Sequence, residues 1–232
     1  MKIMSFNIQH CLNYVERKID FDIMAKAILD CGADIVGLNE MRGEGISPEY
    51  TAQTEKLSEL TGLTYYRFAP AIEVKNGGPY GNGFLSRIPI LSSEVIMIPD
   101  PVPVKSGKHY ETRCILKAVL EGGITVLVTH FGLNPDEQEN AVKTVVENIA
   151  DEKCILMGDF NVIPENAVLD PIREKLKDTA LAFDSPKFSF PSDAPDRKID
   201  YIFLSPDIEV TAADIPPIVA SDHRPHTAVV KI

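Results

Sequence analysis

The sequence predicts a layered α/β protein whose sheets bury one face against a neighbouring layer. β-rich runs at 2–8, 34–39, 82–98, 112–120, 123–130, 153–157, 199–204 and 225–231 outnumber the helical segments. Alternation such as Thr227-Ala228-Val229-Val230-Lys231-Ile232 has the period of two that covers one sheet face. Between the runs lie segments with helix start and stop signals rather than long linkers.

In chain order, the first run is Ile3-Met4-Ser5-Phe6, ending at Asn7. Asp20 then caps a helix whose apolar face is Phe21, Met24 and Ile28, with Gly32 as its stop. Asp34-Ile35-Val36-Gly37-Leu38 leads through Asn39 into Glu40. Ser47-Pro48-Glu49 starts a second helix that runs to about Leu60, before Gly62. Segments Ala71–Pro79 and Pro99–Tyr110 read as surface connections around the 82–98 run. Gly122-Gly123 is a hairpin turn joining runs 112–120 and 123–130. The third helix has Asn134 as N-cap, Pro135 at its first position, Asp136 and Glu137 in its first turn, and Val142, Val145, Val146 and Ile149 on one face. A fourth follows Pro164 and Glu165.

With 232 residues, 44% hydrophobic and 25% charged, the chain can bury a large core, and no composition break or repeat divides it, so one domain spanning 1–232 is expected. The N-terminus has no signal-peptide pattern and no apolar stretch approaches the roughly 18 residues of a membrane span, which gives a cytoplasmic expectation. Cys11, Cys31, Cys114 and Cys154 are widely spaced and read as free, buried thiols. A net charge of −11 disfavours tight nonspecific binding to nucleic acid.

The chemistry lies where the runs end. Gly158-Asp159-Phe160-Asn161-Val162 places a carboxylate and a carboxamide two residues apart after the buried run Cys154-Ile155-Leu156-Met157. The same arrangement recurs at Asn7, at Glu40, at His130 after Ile124–Thr129, and at Asp200 and Asp222-His223. Together with Tyr80-Gly81-Asn82-Gly83-Phe84-Leu85-Ser86-Arg87, these ordered motifs resemble the endonuclease/exonuclease/phosphatase superfamily over the length of the chain. That superfamily includes pancreatic deoxyribonuclease, abasic-site endonucleases, inositol polyphosphate phosphatases and neutral sphingomyelinases.

The resemblance implies a four-layer α/β/β/α sandwich with two packed mixed sheets, and Mg²⁺ as cofactor with Mn²⁺ as a substitute. Glu40 is the expected metal ligand, with Asn7 and Asp222 close to the metal; a hard cation prefers carboxylate oxygen and keeps positions for water and substrate. Asp159 is expected to position or deprotonate the attacking water, and Asn161 to bond a phosphate oxygen or orient Asp159. Asp200 would orient His223, which binds the scissile phosphate or acts as general base. His130 would contact a phosphoryl oxygen, Asn82 would line the phosphate site, and Tyr80 would reach the substrate. Arg113, in Glu111-Thr112-Arg113, would form an ion pair or contact the leaving group, whereas His10, His109 and His226 are structural or exposed.

No basic insertion and no Trp marks a DNA or membrane specialist, so the lysines of the two surface connections are candidates for a second phosphate or head group. The leading expectation is a phosphodiesterase acting on a small organic or lipid-derived phosphate ester; the alternatives are a DNA or RNA nuclease and a catalytically idle binding module.

Overall fold

The computed structural model describes residues 1–232. Two six-stranded mixed sheets pack face to face. The first contains β1 (Lys2–Asn7), β2 (Ile35–Arg42), β3 (Tyr65–Glu73), β4 (Pro79–Ser86), β11 (Glu209–Asp214) and β12 (His226–Lys231), in the order β11-β12-β1-β2-β4-β3. The second contains β5 (Ile90–Met97), β6 (Cys114–Leu120), β7 (Ile124–His130), β8 (Cys154–Asp159), β9 (Lys177–Asp178) and β10 (Asp200–Leu204), in the order β5-β6-β7-β8-β10-β9. Helices α1 (Phe21–Cys31) and α2 (Gln53–Thr61) cover the outside of the first sheet, and α3 (Pro135–Asn148) and α4 (Asp170–Arg173) that of the second.

Three buried clusters follow from this layering. Ile3, Ile35, Phe84, Val126, Val128, Ile155, Met157 and Ile202 lie between the sheets. Met4, Phe6, Met24, Ile28, Val36 and Leu38 fill the α1/α2 side, and Leu127, Val145, Leu156, Phe160, Tyr201 and Phe203 fill the α3 side. Successive strand residues therefore alternate between the sheet interface and a helical layer.

Each sheet has one parallel pair at its centre, and each pair is joined by a helical crossover: β1-α1-β2 and β7-α3-β8. All other strand pairings are antiparallel. The carboxyl ends of both parallel pairs open on the same edge of the sandwich, the usual place for a site in such sheets.

Local chemistry sets the element ends. Asp20 accepts the Ile23 amide, and Gly32 closes α1 in the left-handed region at φ 61°. Asn134 and Glu137 form a reciprocal capping box around the start of α3. Gly122 and Gly123, at φ 85° and 77°, turn β6 into β7.

Several elements differ from the sequence expectation. The 82–98 run is two strands in different sheets; the chain crosses over at Arg87-Ile88-Pro89, where Ser86 Oγ accepts the Ile88 amide and proline cannot donate to a ladder. α2 begins at Gln53 rather than Ser47-Pro48, because Ile46 and Ser47 donate their amides to Gly77 O at 2.7 and 3.1 Å and tie that segment to another loop. The surface connection at 71–79 begins inside β3, an edge strand that accommodates Pro70. The fourth helix is a 3-10 turn at Ala167–Leu169 followed by the four-residue α4. All four cysteines are free and buried, and no helix is long and apolar enough to cross a membrane.

Candidate active site

The alternation that builds the sheet interface also places the polar residues. Ile3 faces the interface on β1, so Asn7 does too; Val126 and Val128 carry His130, Ile155 and Met157 carry Asp159, Ile202 and Leu204 carry Asp200, and Phe84 carries Asn82 and Tyr80. The site is thus the polar continuation of the inter-sheet core. Register brings Asn7 beside Asn39, and His130 beside Asp159.

Asp159 is the centre, 1% exposed. Its Oδ1 accepts the Asn161 amide at 2.9 Å, and its Oδ2 accepts Asn7 Nδ2 at 3.1 Å. The Nε2 atoms of His130 and His223 lie 3.5 and 3.6 Å from the same Oδ2. Burial first, and the charge of Asp200 with it, raise the Asp159 pKa, while His223 and the Asn161 and Asn7 hydrogen bonds oppose the shift. The strand end that presents Asp159 is anchored by Phe160, whose ring lies 4.4, 5.1 and 5.6 Å from those of Phe131, Tyr201 and Phe203. Gly158 is required because a Cβ there, at φ 151°, would collide with the Thr129 carbonyl.

The two imidazoles are in different states. Arg113 Nη1 lies 3.0 Å from His130 Nδ1; a guanidinium can only donate, so Nδ1 accepts and Nε2 carries the proton. Burial, then Arg113 and His223, hold the His130 pKa well below the imidazole range. Burial also disfavours charge on His223, but Asp200 Oδ2, 2.8 Å from Nδ1, and Asp159 outweigh it and raise its pKa to about 10. The Asp200–His223 pairing expected from the sequence is present, and the Phe190 ring, 4.8 Å away, backs the imidazole.

Glu40 sits at a bulge in β2, where the register with β4 shifts between Leu38 and Met41, and its φ is 61°. A non-glycine residue in the left-handed region costs about 1–3 kcal/mol, and here it re-aims the side chain. Glu40 Oε1 accepts Asn7 Nδ2 at 3.0 Å. Its pKa is raised by burial, and Asp222 adds repulsion. Tyr80 stands against Glu40, and burial followed by that carboxylate raises its phenol pKa.

Two of the expected residues make contacts that only the structure shows. Asn7 turns its Nδ2 to Glu40 and Asp159 while its Oδ1 accepts the Gln9 amide at 3.1 Å. It therefore bridges the carboxylates of Glu40 and Asp159. Asn82 is 2% exposed and its amide is engaged inward, donating to Cys114 O at 2.9 Å and accepting from Asn39 at 2.8 Å. It lies beneath the site rather than in its wall. Arg113 combines an ion pair with Glu111 at 2.6 Å and the bond to His130. Asn161, at φ 52°, donates to Phe131 O at 3.0 Å, and its Nδ2 lies 3.2 Å from His130 Nε2. The buried His226 is held by Thr179 and the Asp200 carbonyl, as a structural residue.

Asn39 was not singled out from the sequence, yet it ties the sheets together at this edge. Fully buried, it donates to Asn82 Oδ1 and Thr129 O at 2.8 Å each and accepts the Asp159 amide at 2.9 Å. Its parity with Ile35 on β2 was the available signal.

A model of the Endonuclease/Exonuclease/phosphatase family matches residues 4–223. The chain belongs to this family. Its members are phosphoric ester hydrolases that depend on a metal, and the chain is a phosphohydrolase of that superfamily. A search of curated proteins gives no match. Among solved structures, an endonuclease/exonuclease/phosphatase from Beutenbergia cavernae DSM 12333 superposes with a TM-score of 0.81 at 22% identity, covering 100% of this chain and 71% of that one. A mannosyl-6-phosphatase of Bacteroides thetaiotaomicron gives 0.78 at 16% identity, with full coverage of both chains. Humanized D. rerio TDP2 gives 0.70 at 16% identity, covering 100% and 99%. These identities establish a shared fold.

Two groups could hold the family's metal. Asp159, Asp200 and His223 bring ligand atoms within 4.8 Å of one another, but all three are at most 4% exposed and Asp200 Oδ2 is spent on His223. Glu40 and Asp222 are half-buried carboxylates that repel each other, a hard-oxygen pair whose repulsion a divalent cation would relieve.

Proposed function

We propose that the chain is a Mg²⁺-dependent phosphodiesterase that cleaves a small organic or lipid-derived phosphate ester by attack of water. The observation that carries this reading is the convergence on one buried carboxylate, Asp159, of a neutral imidazole fixed by Arg113, an Asp200-paired imidazole, and Asn7, which links it to Glu40.

Glu40 and Asp222 would hold Mg²⁺, which when bound neutralises charge on the nonbridging phosphoryl oxygens. Asp159 Oδ2 accepts the proton of the attacking water, and its own position is fixed by the Asn161 amide and Asn7. His130, protonated at Nε2, donates to a phosphoryl oxygen as negative charge builds there. His223, oriented by Asp200, presents Nε2 to the same charge. Asn161, whose side-chain amide donates to Phe131 O, stands beside the imidazole of His130, and Tyr80 closes the wall beside Glu40. Around the reacting phosphoryl group the carboxylate-rich wall favours a monoanionic diester over a dianionic monoester, and the chain's net charge of −11 disfavours a polyanionic nucleic acid.

The test is a panel with Mg²⁺ or Mn²⁺: bis(4-nitrophenyl) phosphate, 4-nitrophenyl phosphate, plain and abasic DNA, RNA and phospholipid head groups, with Asp159→Asn alongside. Cleavage of the small diester with DNA and RNA untouched supports the reading. Preferential cleavage of nucleic acid, or a fully active Asp159→Asn, contradicts it.

A further inference from the structure

Two residues beyond Glu40, Arg42 holds a guanidinium that the chemistry above does not use. In the β2–β4 pair it stands directly opposite Tyr80, so the two side chains share one face of the sheet. Tyr80 is the residue set against Glu40, and the Cα atoms of Arg42 and Glu40 are at most about 7 Å apart along the strand.

The Arg42 side chain is 15% exposed. Its Nε is buried with no hydrogen-bond partner. Nη1 reaches the Glu49 carboxylate at 3.3 Å, but that glutamate is 70% exposed, so water and salt screen the pair. The flat face of the guanidinium lies 4.8 Å from the centre of the Tyr50 ring, which orients it, and Nη2, neither buried nor hydrogen-bonded, is left for an oxyanion. The adjacent His10 does not compete as a cation, since burial and the Arg42 charge lower its pKa to about 4.

The surroundings are rigidly built. The Arg42 amide donates to Gln53 Oε1 at 2.9 Å, and Gln53 Nε2 donates to His10 O at 2.9 Å. Tyr50 is fixed by its amide to Ser47 O at 2.8 Å and by Gly45, which donates to Tyr50 O at 3.0 Å. The 43–52 and 74–78 segments interlock through glycines: a Cβ on Gly77 would stand 2.7 Å from Tyr50 Cε2, and one on Gly45 would strike the Gly77 carbonyl. Lys75, the sequence-based candidate on this side, is exposed. A buried guanidinium with an unpaired donor is costly unless an anion completes it.

We propose that Arg42 is an oxyanion subsite beside the reaction centre, and that the substrate carries a second anionic group, a phosphate or a carboxylate, on its organic part. The proposal rests on the phosphohydrolase reading and narrows its substrate class. It predicts that an added anion improves binding through Arg42.

The experiment compares 4-nitrophenyl phenyl phosphate with its 3- and 4-carboxyphenyl counterparts, which share one leaving group, in the wild type, Arg42→Gln and Arg42→Lys. The ratio of kcat/KM for carboxylated over plain ester is expected to be about tenfold or more in the wild type, expressed in KM. It falls to about one in Arg42→Gln and is intermediate in Arg42→Lys. Because the ratio is internal to each variant, a folding defect lowers both rates and leaves it unchanged. A ratio near one in the wild type for both placements, or a ratio unaffected by Arg42→Gln, overturns the proposal. If the wild type turns over neither ester, the phosphohydrolase reading has failed separately. Titration with inorganic phosphate in EDTA then decides the subsite: a loss of about tenfold in affinity in Arg42→Gln upholds it, and equal affinity rejects it.

Discussion

Replacing Asn39 by alanine removes one side chain that ties the two sheets together beneath the proposed catalytic carboxylate, Asp159. It strips the Asp159 amide, Thr129 O and Asn82 Oδ1 of bonds measured at 2.8–2.9 Å, in a place with 0% exposure. Each buried group left unpaired costs about 1–3 kcal/mol, and a water entering the vacated space recovers part of the sum, so a loss of about 3–5 kcal/mol is expected. That is a large fraction of the roughly 5–15 kcal/mol of a typical domain. Asn39→Asp should be worse, because it turns an oxygen toward the carbonyls of Thr129 and Asn82 and adds charge beside Asp159. Urea denaturation followed by circular dichroism gives the stability, and kcat on a small diester should fall about a hundredfold, as expected when a reacting group shifts by an ångström. An Asn39→Ala protein within about 1 kcal/mol of wild type, with kcat within threefold, would mean that Asn39 is not what sets the Asp159 position.

Phe160→Ala empties the centre of the Phe131, Tyr201 and Phe203 cluster and should cost about 3–5 kcal/mol in the same denaturation assay; a loss below about 1 kcal/mol would contradict the anchoring role. Arg113→Ala frees His130 Nδ1, so ring ¹⁵N NMR should show loss of the pure Nε2–H tautomer and kcat should fall about tenfold, with Arg113→Lys partly restoring both; an unchanged tautomer would exclude Arg113 as its cause. His226 has a pKa lowered from 6.5 to about 4, by burial first and then by Lys198, so the unfolded chain takes up the proton first as pH falls. Its contribution is complete above about pH 6.5 and is lost toward pH 4, a total of about 3 kcal/mol; His226→Gln should flatten the stability profile in that window, and an unchanged slope would contradict the assignment.

How much was legible in the sequence follows from which interactions are local. Capping and turn residues act within a few positions, so α1, α3 and the Gly122-Gly123 hairpin could be read directly. The strand ends at Asn7, His130, Asp159 and Asp200 were legible because alternation carries an apolar strand to one polar terminal residue. The start of α2 was not, since Ile46 and Ser47 are held by Gly77 from a distant loop. The 82–98 run concealed a change of sheet that only packing decides. Asn39 and the inward turn of Asn82 were missed for the same reason: an amide looks alike whether it faces substrate or a carbonyl of the opposite sheet. The roles of Asn7 and Arg113 needed distances, because each is defined by which atom it gives to its neighbours.

The most direct measurement is an initial-rate titration with Mg²⁺, using bis(4-nitrophenyl) phosphate as substrate, for the wild type and Glu40→Ala after both are shown to unfold at the same urea concentration. A site built on Glu40 and Asp159 gives saturable activation in the wild type, none in EDTA, and at least a hundredfold loss in Glu40→Ala. Equal turnover in EDTA, or full metal-dependent turnover without the Glu40 carboxylate, would contradict this mechanism.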